Sequence, residues 1–288
     1  MKTKLVIALS ALLIAGACIA AALFIPKAKL KSEAATETYD VVFFGDSIVA
    51  GDYTEWSLAA WVGKNTGLKV LNAAFGGCTM CLNNTEKLTG DASELYSMYR
   101  LSEALSERDF SLQIMASQKE NLTVLDGIYE ASVSLQHTDW ESVRYILIEH
   151  GVNDYLNGAP IENPDDPYDA HTYAGALRTV IENVQAAVPN ARLILLTPIY
   201  AYPDSLEKDC TEADYGGGLL TDYIAAEKEI ASAYGIYLID DYTETGINRS
   251  NYKDYLFDGL HGSEEGKEYI APFIAAHLLS LEEENGDS

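Results

Sequence analysis

The sequence contains few basic side chains. It has 19 Lys and Arg residues against 44 Asp and Glu, and five of the basic residues but none of the acidic ones fall within residues 1–31. Residues 32–288 therefore carry a net charge of −30 at pH 7 with histidine neutral. A surface this acidic repels nucleic acid and anionic lipid headgroups. The composition excludes nucleic acid as a partner and favours neutral or cationic substrates.

Metal and nucleotide motifs are also missing. Neither H-x-x-x-H nor H-E-x-x-H occurs, and no G-x-G-x-x-G follows the first apolar run after the N-terminal segment. We therefore expect no cofactor and no metal ion. Cysteine is scarce, and apart from Cys18 near the N-terminus the sequence has Cys78, Cys81 and Cys210. Three cysteines allow one internal disulfide, which we expect to involve Cys78 or Cys81.

Residues 1–31 have the charge pattern of a targeting segment. Lys2 and Lys4 precede an uncharged run from Leu5 to Ile25, and three more lysines follow it. This pattern is typical of a secretory signal peptide. The run is also about long enough to cross a bilayer as a helix. We expect an extracytoplasmic protein that is secreted or anchored to the membrane by residues 5–25, with residues 32–38 as a linker.

Five apolar runs of strand length alternate with helical patterns. Because the runs are continuously apolar, they suit a parallel sheet that is covered on both faces. The alternation predicts a doubly wound α/β sandwich. The runs are 39–44, 68–71, 143–148, 193–196 and 236–239, and the principal helical candidates are 54–65, 171–187, 219–233 and 263–280.

The interval between the second and third runs is too long for a plain connection. It contains helical patterns at 93–107 and 115–132, and we interpret residues 79–141 as an inserted helical cap. A second, irregular insertion occupies residues 200–218 after the fourth run. Both leave from the carboxyl ends of strands, where open α/β sheets bind ligands. We therefore expect them to shape a substrate pocket.

Four short stretches fall at predicted strand ends or just before the last helix. They are 45-GDS-47, 72-NAAFGG-77, 151-GVND-154 and 258-DGLH-261. In a parallel sheet they can meet at one edge. Together they would supply a serine hydroxyl, backbone donors, an asparagine amide and an Asp/His pair.

These groups suit nucleophilic acyl transfer. A serine hydroxyl reacts well only when a base removes its proton, and His261 is the candidate base for Ser47. Asp258 can hold the other ring nitrogen of that histidine. The oxyanion that forms needs preorganised donors. The candidates are the backbone N–H groups of Ser47 and Gly77 and the side-chain amide of Asn153.

Each stretch also has a plainer interpretation. Ser47 could cap a helix, and Asn153 with the following Asp could form a turn and cap pair. Asp258 begins a standard Asp-Gly turn. His261 could simply lead into a helix that Ser263 caps. The conjunction of all four stretches favours the catalytic hypothesis over these alternatives.

The four stretches together resemble the blocks of the SGNH hydrolase (GDSL-like esterase/lipase) family, which is named for a Ser, Gly, Asn and His in that order. The matching stretches are 43-FFGDSIVAG-51, 72-NAAFGGCT-79, 149-EHGVNDYL-156 and 257-FDGLHGSEEG-266. The resemblance implies that Ser47, His261 and Asp258 form a catalytic triad and that Ser47, Gly77 and Asn153 form the oxyanion hole. GDSI stands where GDSL is frequent, and Cys78 follows the oxyanion glycine where a polar residue is common.

The resemblance further implies a flavodoxin-like three-layer α/β/α sandwich with a five-stranded parallel sheet. Its domain would span residues 39–282, followed by an acidic tail at 283–288. The implied function is hydrolysis of carboxylic esters, and we expect deacetylation of an extracellular or cell-wall glycan. Cleavage of lysophospholipids or other lipid esters is one alternative. An acyltransferase and a non-catalytic, membrane-tethered glycan-binding protein are two more.

Overall fold

Five parallel strands form the centre of the computed structural model, which describes residues 36–82, 94–118 and 127–286. The strands are β1 (Val41–Gly45), β2 (Val70–Asn72), β3 (Tyr145–Glu149), β4 (Arg192–Leu196) and β5 (Tyr237–Ile239). Each begins and ends within two residues of a predicted run. Their order is β2-β1-β3-β4-β5, and all pairs are parallel. The predicted flavodoxin-like α/β sandwich is confirmed.

The helices of the described residues cover both faces of this sheet. Helices α2 and α11 pack together, while α3, α7 and α8 pack side by side. Because crossovers between parallel strands are right-handed, these two groups lie on opposite faces. The helices are α1 (Ser47–Ala50), α2 (Leu58–Thr66), α3 (Met98–Glu107), α4 (Ser111–Ser117), α5 (Ile128–His137), α6 (Val152–Asn157), α7 (Tyr173–Ala187), α8 (Leu220–Tyr234), α9 (Asp241–Glu244), α10 (Tyr252–Tyr255) and α11 (Glu264–Gly286).

The predicted helices match α2, α7, α8 and α11, with one clear difference in length. Helix α11 continues to Gly286 and so enters the predicted acidic tail at 283–288. Within the interval predicted as a cap, α3 packs along α7. That is the usual place of a crossover helix, in the layer that flanks the sheet. A role of residues 79–141 in shaping the substrate pocket stays a prediction.

The carboxyl ends of the central strands lie level with one another. The register pairs Gly45 of β1 with Glu149 of β3, and Glu149 with Leu196 of β4. From β1 the chain crosses to β2 on one side, whereas from β3 it crosses to β4 on the other. The point between β1 and β3 is thus the topological switch point, where open α/β sheets bind their ligands.

The predicted leader, residues 1–31, lies outside the described residues. Within the ranges that the structure covers, no helix combines the length and the apolar character needed to cross a bilayer.

The predicted disulfide is wrong. Cys78, Cys81 and Cys210 are all buried, and no disulfide joins them. Cys78 and Cys81 lie in the loop after β2, whereas Cys210 accepts a hydrogen bond from the backbone N–H of Ala201 at 3.5 Å. Burial raises the pKa of Cys210 to about 11 and raises the pKa values of the other two thiols as well. All three are therefore protonated thiols at neutral pH.

Candidate active site

Ser47 is the first residue of α1, immediately after the turn that ends β1. The turn is tight, since a Cβ on Gly45 would lie 2.6 Å from Cγ2 of Val49. The N-cap of α1 is Asp46, whose Oδ1 accepts the Ile48 backbone N–H at 2.9 Å. The capping role that a plainer interpretation gave to Ser47 therefore belongs to Asp46. The serine hydroxyl has a different partner.

That partner is His261, which lies 214 residues further along the chain. Ser47 Oγ is 2.8 Å from His261 Nε2, and His261 Nδ1 is 2.7 Å from Asp258 Oδ2. A carboxylate only accepts, so Nδ1 carries the ring proton toward Asp258. In the neutral imidazole, Nε2 is then the acceptor for the serine hydroxyl. The structure brings the three predicted triad residues into one continuous chain of hydrogen bonds.

Asp258 is held by the loop that it begins. Its Oδ1 accepts the backbone N–H groups of Leu260 and His261 at 3.0 and 2.8 Å. Partial burial acts to raise the pKa of Asp258, but these hydrogen bonds and the neighbouring imidazole lower it below the usual range. At Gly259, φ is +77°, and a Cβ there would lie 1.8 Å from the carbonyl oxygen of Tyr202. The loop therefore requires glycine at this position.

Asn153 lies in the first turn of α6, which follows β3 across the switch point from Ser47. Its Nδ2 donates to Asp46 Oδ2 at 2.9 Å. A side-chain amide has two N–H donors, so the second can serve a ligand at this edge of the sheet. Asp46 thus binds both the first turn of α1 and the amide of Asn153. Sequence reasoning missed it, because an Asp before a helix also fits ordinary capping.

Gly77 lies in the loop that leaves β2 along the end of β1. The N–H of Ala73 donates to the carbonyl of Phe43, and that of Phe75 donates to Gly45, both at 2.9 Å. At Gly77, φ is +74°, and a Cβ there would meet nothing within 4 Å. The positive φ is therefore the reason for glycine at this position. The open space beside it leaves room for a substrate, as an oxyanion donor requires.

Asp154 ties the third stretch to the second. The side chain is fully buried, and its oxygens accept the backbone N–H groups of Met80 and Cys81 at 2.8 and 3.1 Å. Burial raises the pKa of Asp154, while these two bonds oppose the rise. The sequence offered it only as a turn partner of Asn153. The structure instead gives it the role of fixing the loop that follows Gly77.

Glu149 ends β3 and is also buried. Within the described ranges, neither of its carboxyl oxygens has a hydrogen-bond partner. Burial, followed by the charge of nearby Asp46, raises the pKa of Glu149 well above its ordinary value. Burial also raises the pKa of Asp46, to about 7. We expect Glu149 to hold a proton at neutral pH. Its signal in the sequence was a single acidic residue closing the apolar run 145-YILIE-149.

His150 follows Glu149 and does not join the Ser47 hydrogen bonds. It is 1% exposed, and burial lowers its pKa to about 3. The Cys78 backbone opposes only part of this lowering. The imidazole is therefore neutral. No group of three or more His, Cys, Asp or Glu side chains in the described ranges is arranged to hold a metal ion.

An aromatic side chain lies beside the candidate base. The rings of Phe257 and His261 are nearly parallel, with centroids 5.8 Å apart and planes at 21°. Phe257 is 68% exposed. Two cavities of about 250 and 430 Å³ share Tyr202 and Arg249 in their linings. They lie beside the loop that contacts Gly259, and Ser47 lines neither of them.

Comparison with known proteins is consistent with this site. Residues 43–269 match the model of the GDSL-like Lipase/Acylhydrolase family. The mouse (Mus musculus) isoamyl acetate-hydrolyzing esterase 1 homolog is 27% identical over 145 residues, which are 47% of this chain and 57% of that protein. The chain thus spans little more than half the length of this curated relative.

Solved structures share the architecture over most of the chain. One, at 22% identity, aligns with a TM-score of 0.61 over 86% of this chain and 99% of its own. A possible lipase from Chitinophaga pinensis, at 17% identity, aligns with a TM-score of 0.54 over 84% of this chain and 98% of its own. At these identities the likeness shows the fold alone.

Proposed function

The chain belongs to the GDSL-like lipase/acylhydrolase (SGNH) family, and on this premise we propose that it is a serine esterase that removes acetyl groups from a glycan. The observation that carries the catalytic assignment is the chain of hydrogen bonds from Ser47 through His261 to Asp258, at 2.8 and 2.7 Å. A nucleophile, a base and a group that orients the base are the parts that acyl transfer requires.

The first half-reaction acylates the serine. His261 Nε2 takes the proton of Ser47 as Oγ bonds to the ester carbonyl carbon, and the carbonyl oxygen becomes an oxyanion. The backbone N–H groups of Ser47 and Gly77 and the free amide N–H of Asn153 donate to it. Asp258 stabilises the imidazolium that forms. The bond from carbon to the alcohol oxygen then breaks, and the alcohol leaves with the proton from Nε2.

The second half-reaction releases the acid. Water gives a proton to His261 Nε2 and bonds to the acyl carbon, and the same donors stabilise the second oxyanion. The bond between that carbon and Ser47 Oγ breaks as Oγ recovers the proton. The net change is ester and water to acid and alcohol, and the enzyme returns to its starting state.

Several features support an acetylated glycan as the substrate. The net charge of −30 over residues 32–288 disfavours approach to anionic phospholipids. The curated mouse relative is named for an acetate ester. An exposed aromatic ring lies beside His261, where a sugar could contact it. The proposed location is extracytoplasmic, with residues 1–31 as a cleaved signal or a membrane anchor.

The test uses nitrophenyl esters of two, four, eight and twelve carbons together with acetylated polysaccharides. We expect hydrolysis to be fastest for the two-carbon ester, with acetate released from the polysaccharide. Ser47→Ala should abolish both activities, whereas Ser106→Ala, which changes an exposed serine on α3, should leave them unchanged.

Three results would contradict parts of this proposal. A hydrolysis rate that is highest for the eight- or twelve-carbon ester would indicate a lipid ester as the substrate and not a glycan. Failure of the native protein to cleave any of these substrates would refute the esterase function. Full activity in Ser47→Ala would refute the assignment of the nucleophile while leaving the esterase function intact.

A further inference from the structure

Phe257 has the highest exposed fraction, 68%, of the large apolar side chains in the described part of the chain. A single exposed apolar residue is common on protein surfaces and is not by itself a site. The position of this ring sets it apart. It stacks beside the imidazole of His261, with 5.8 Å between centroids and 21° between planes.

The backbone holds the two rings in this arrangement. The N–H of Phe257 donates to the carbonyl of His261 at 3.0 Å, and Leu256 pairs with Gly262 as an antiparallel bridge. Residues 257–261 therefore form a closed loop with Phe257 and His261 at its two ends. Its middle residue, Gly259, accepts from the N–H of Tyr202 at 2.7 Å. The backbone thus holds Phe257 and His261 side by side, and the exposed ring lies next to the imidazole.

The chemistry of the first half-reaction determines which part of the substrate lies near this ring. His261 Nε2 must give its proton to the alcohol oxygen, so that oxygen approaches Nε2 to about 3 Å. The acyl carbon and the oxyanion lie instead at Ser47 and its donors. The alcohol therefore extends on the imidazole side of the site, where Phe257 presents its ring.

We propose that Phe257 is the binding platform for the leaving alcohol, and that it selects alcohols with a ring, such as a pyranose, over small acyclic ones. The apolar face of a ring-shaped alcohol can cover the phenyl ring and remove both surfaces from water. This inference rests on the proposed esterase function and deepens it. It assigns specificity for the alcohol to one side chain.

The test compares two acetates, isopropyl acetate and cyclohexyl acetate. Both release acetate and both have a secondary alcohol as the leaving group, and the cyclohexyl ester adds the three methylenes that close the ring. For Phe257→Ala we expect kcat/KM to fall about tenfold for the cyclohexyl ester and less than about threefold for the isopropyl ester, mostly through KM. Phe257→Tyr should keep the native preference. Leu112→Ala, which removes an apolar side chain of 58% exposure on α4, should change neither ester.

A second measurement separates contact with the alcohol from support of His261. Deacylation begins after the alcohol has left, yet it still needs His261 as the base. The deacylation rate constant, taken from steady turnover of nitrophenyl acetate after its burst, should therefore be unchanged in Phe257→Ala. A side chain that acted only by positioning the imidazole would slow deacylation as well.

The outcomes of these measurements are distinct. Two results in Phe257→Ala would overturn the role of Phe257 as the alcohol platform. One is an unchanged ratio of kcat/KM between the cyclohexyl and isopropyl esters, and the other is a slower deacylation. A native protein that cleaves neither the two acetates nor nitrophenyl acetate would refute the proposed function itself. A native protein that is active, with a cyclohexyl preference that Phe257→Ala removes, supports both.

Discussion

Asp46 links two parts of the proposed oxyanion hole, the first turn of α1 and the amide of Asn153. Its Oδ1 accepts the Ile48 N–H and its Oδ2 accepts the Asn153 amide, both at 2.9 Å. We consider the variant Asp46→Asn. Asparagine is a good N-cap, so its oxygen can keep the bond to Ile48. Its NH₂ group then faces the NH₂ of Asn153, and two donors cannot bond to each other.

The expected effect follows from the loss of one oriented donor. Without the carboxylate, the Asn153 amide loses the bond that aims its second N–H at the oxyanion. Removing one such donor in known cases lowers kcat about 10²–10³-fold, or about 3–4 kcal/mol. We expect Asp46→Asn to lower kcat by about 100-fold with little change in KM, because Asp46 is buried and acts through Asn153. The variant should remain folded, since it removes a buried ionisable group.

The assay is a double-mutant cycle with nitrophenyl acetate, using Asp46→Asn, Asn153→Ala and the double variant. If Asp46 acts through Asn153, the double variant should be no more than about threefold slower than Asn153→Ala alone, a coupling of about 2 kcal/mol. Thermal unfolding of each variant serves as the control for folding. If the double variant lost activity by the product of the two single losses, this role of Asp46 would be refuted.

Three further predictions concern the loop, the buried carboxyls and the thiols. Gly259→Ala should lower both kcat and the free energy of unfolding, because its Cβ would lie 1.8 Å from the Tyr202 carbonyl oxygen. The control is Gly67→Ala, where φ is +75° and a Cβ meets open space. Backbone strain should lower its free energy of unfolding by about 1–3 kcal/mol and leave kcat unchanged. Glu149 has a raised pKa, so its contribution to stability is full below its ordinary pKa and is lost as pH rises through the folded value. Glu149→Gln should therefore reduce the fall of unfolding free energy with rising pH by up to about 1.4 kcal/mol per pH unit, measured by denaturant titrations across pH. A reducing agent should leave Tm unchanged, because the described cysteines form no disulfide.

Each of these has a contrary result. Equal activity in the two glycine variants would show that the loop tolerates a Cβ at Gly259. An unchanged pH slope in Glu149→Gln would show that Glu149 ionises alike in the folded and unfolded states. A Tm that falls in reducing agent would reveal a disulfide among the cysteines.

The fold was predictable because its strands carry a simple signal. All residues of β1 and β3 are buried, and apart from Glu149 at the end of β3 these strands read as apolar runs. Ser47 and Asn153 each follow such a run within a few residues. Two residues that stand at the carboxyl ends of parallel neighbours must lie close together, whatever their separation in the chain. Asp258 and His261 came from the family resemblance and from their short spacing.

What escaped prediction depends on contacts between distant segments. The partners of Asp154 are backbone groups more than seventy residues earlier, and no local sequence pattern indicates these contacts. Asp46 has the same sequence signal as any capping residue. The disulfide prediction was wrong because the number of cysteines limits how many pairs can form but does not show which cysteines lie close together. Helix α11 passed its predicted end because the glutamates 282-EEE-284 are good helix formers although they are polar.

The proposed mechanism depends on the activation of Ser47 by His261, and covalent trapping measures this activation. The native protein, Ser47→Ala and His261→Ala would each be treated with a fluorophosphonate, and the site of attachment found by peptide mapping. We expect one label per chain, on Ser47, with none in Ser47→Ala. In His261→Ala, labelling should be at least 100-fold slower, a loss typical of removing a general base. A label on another residue, or labelling of His261→Ala at the native rate, would contradict it.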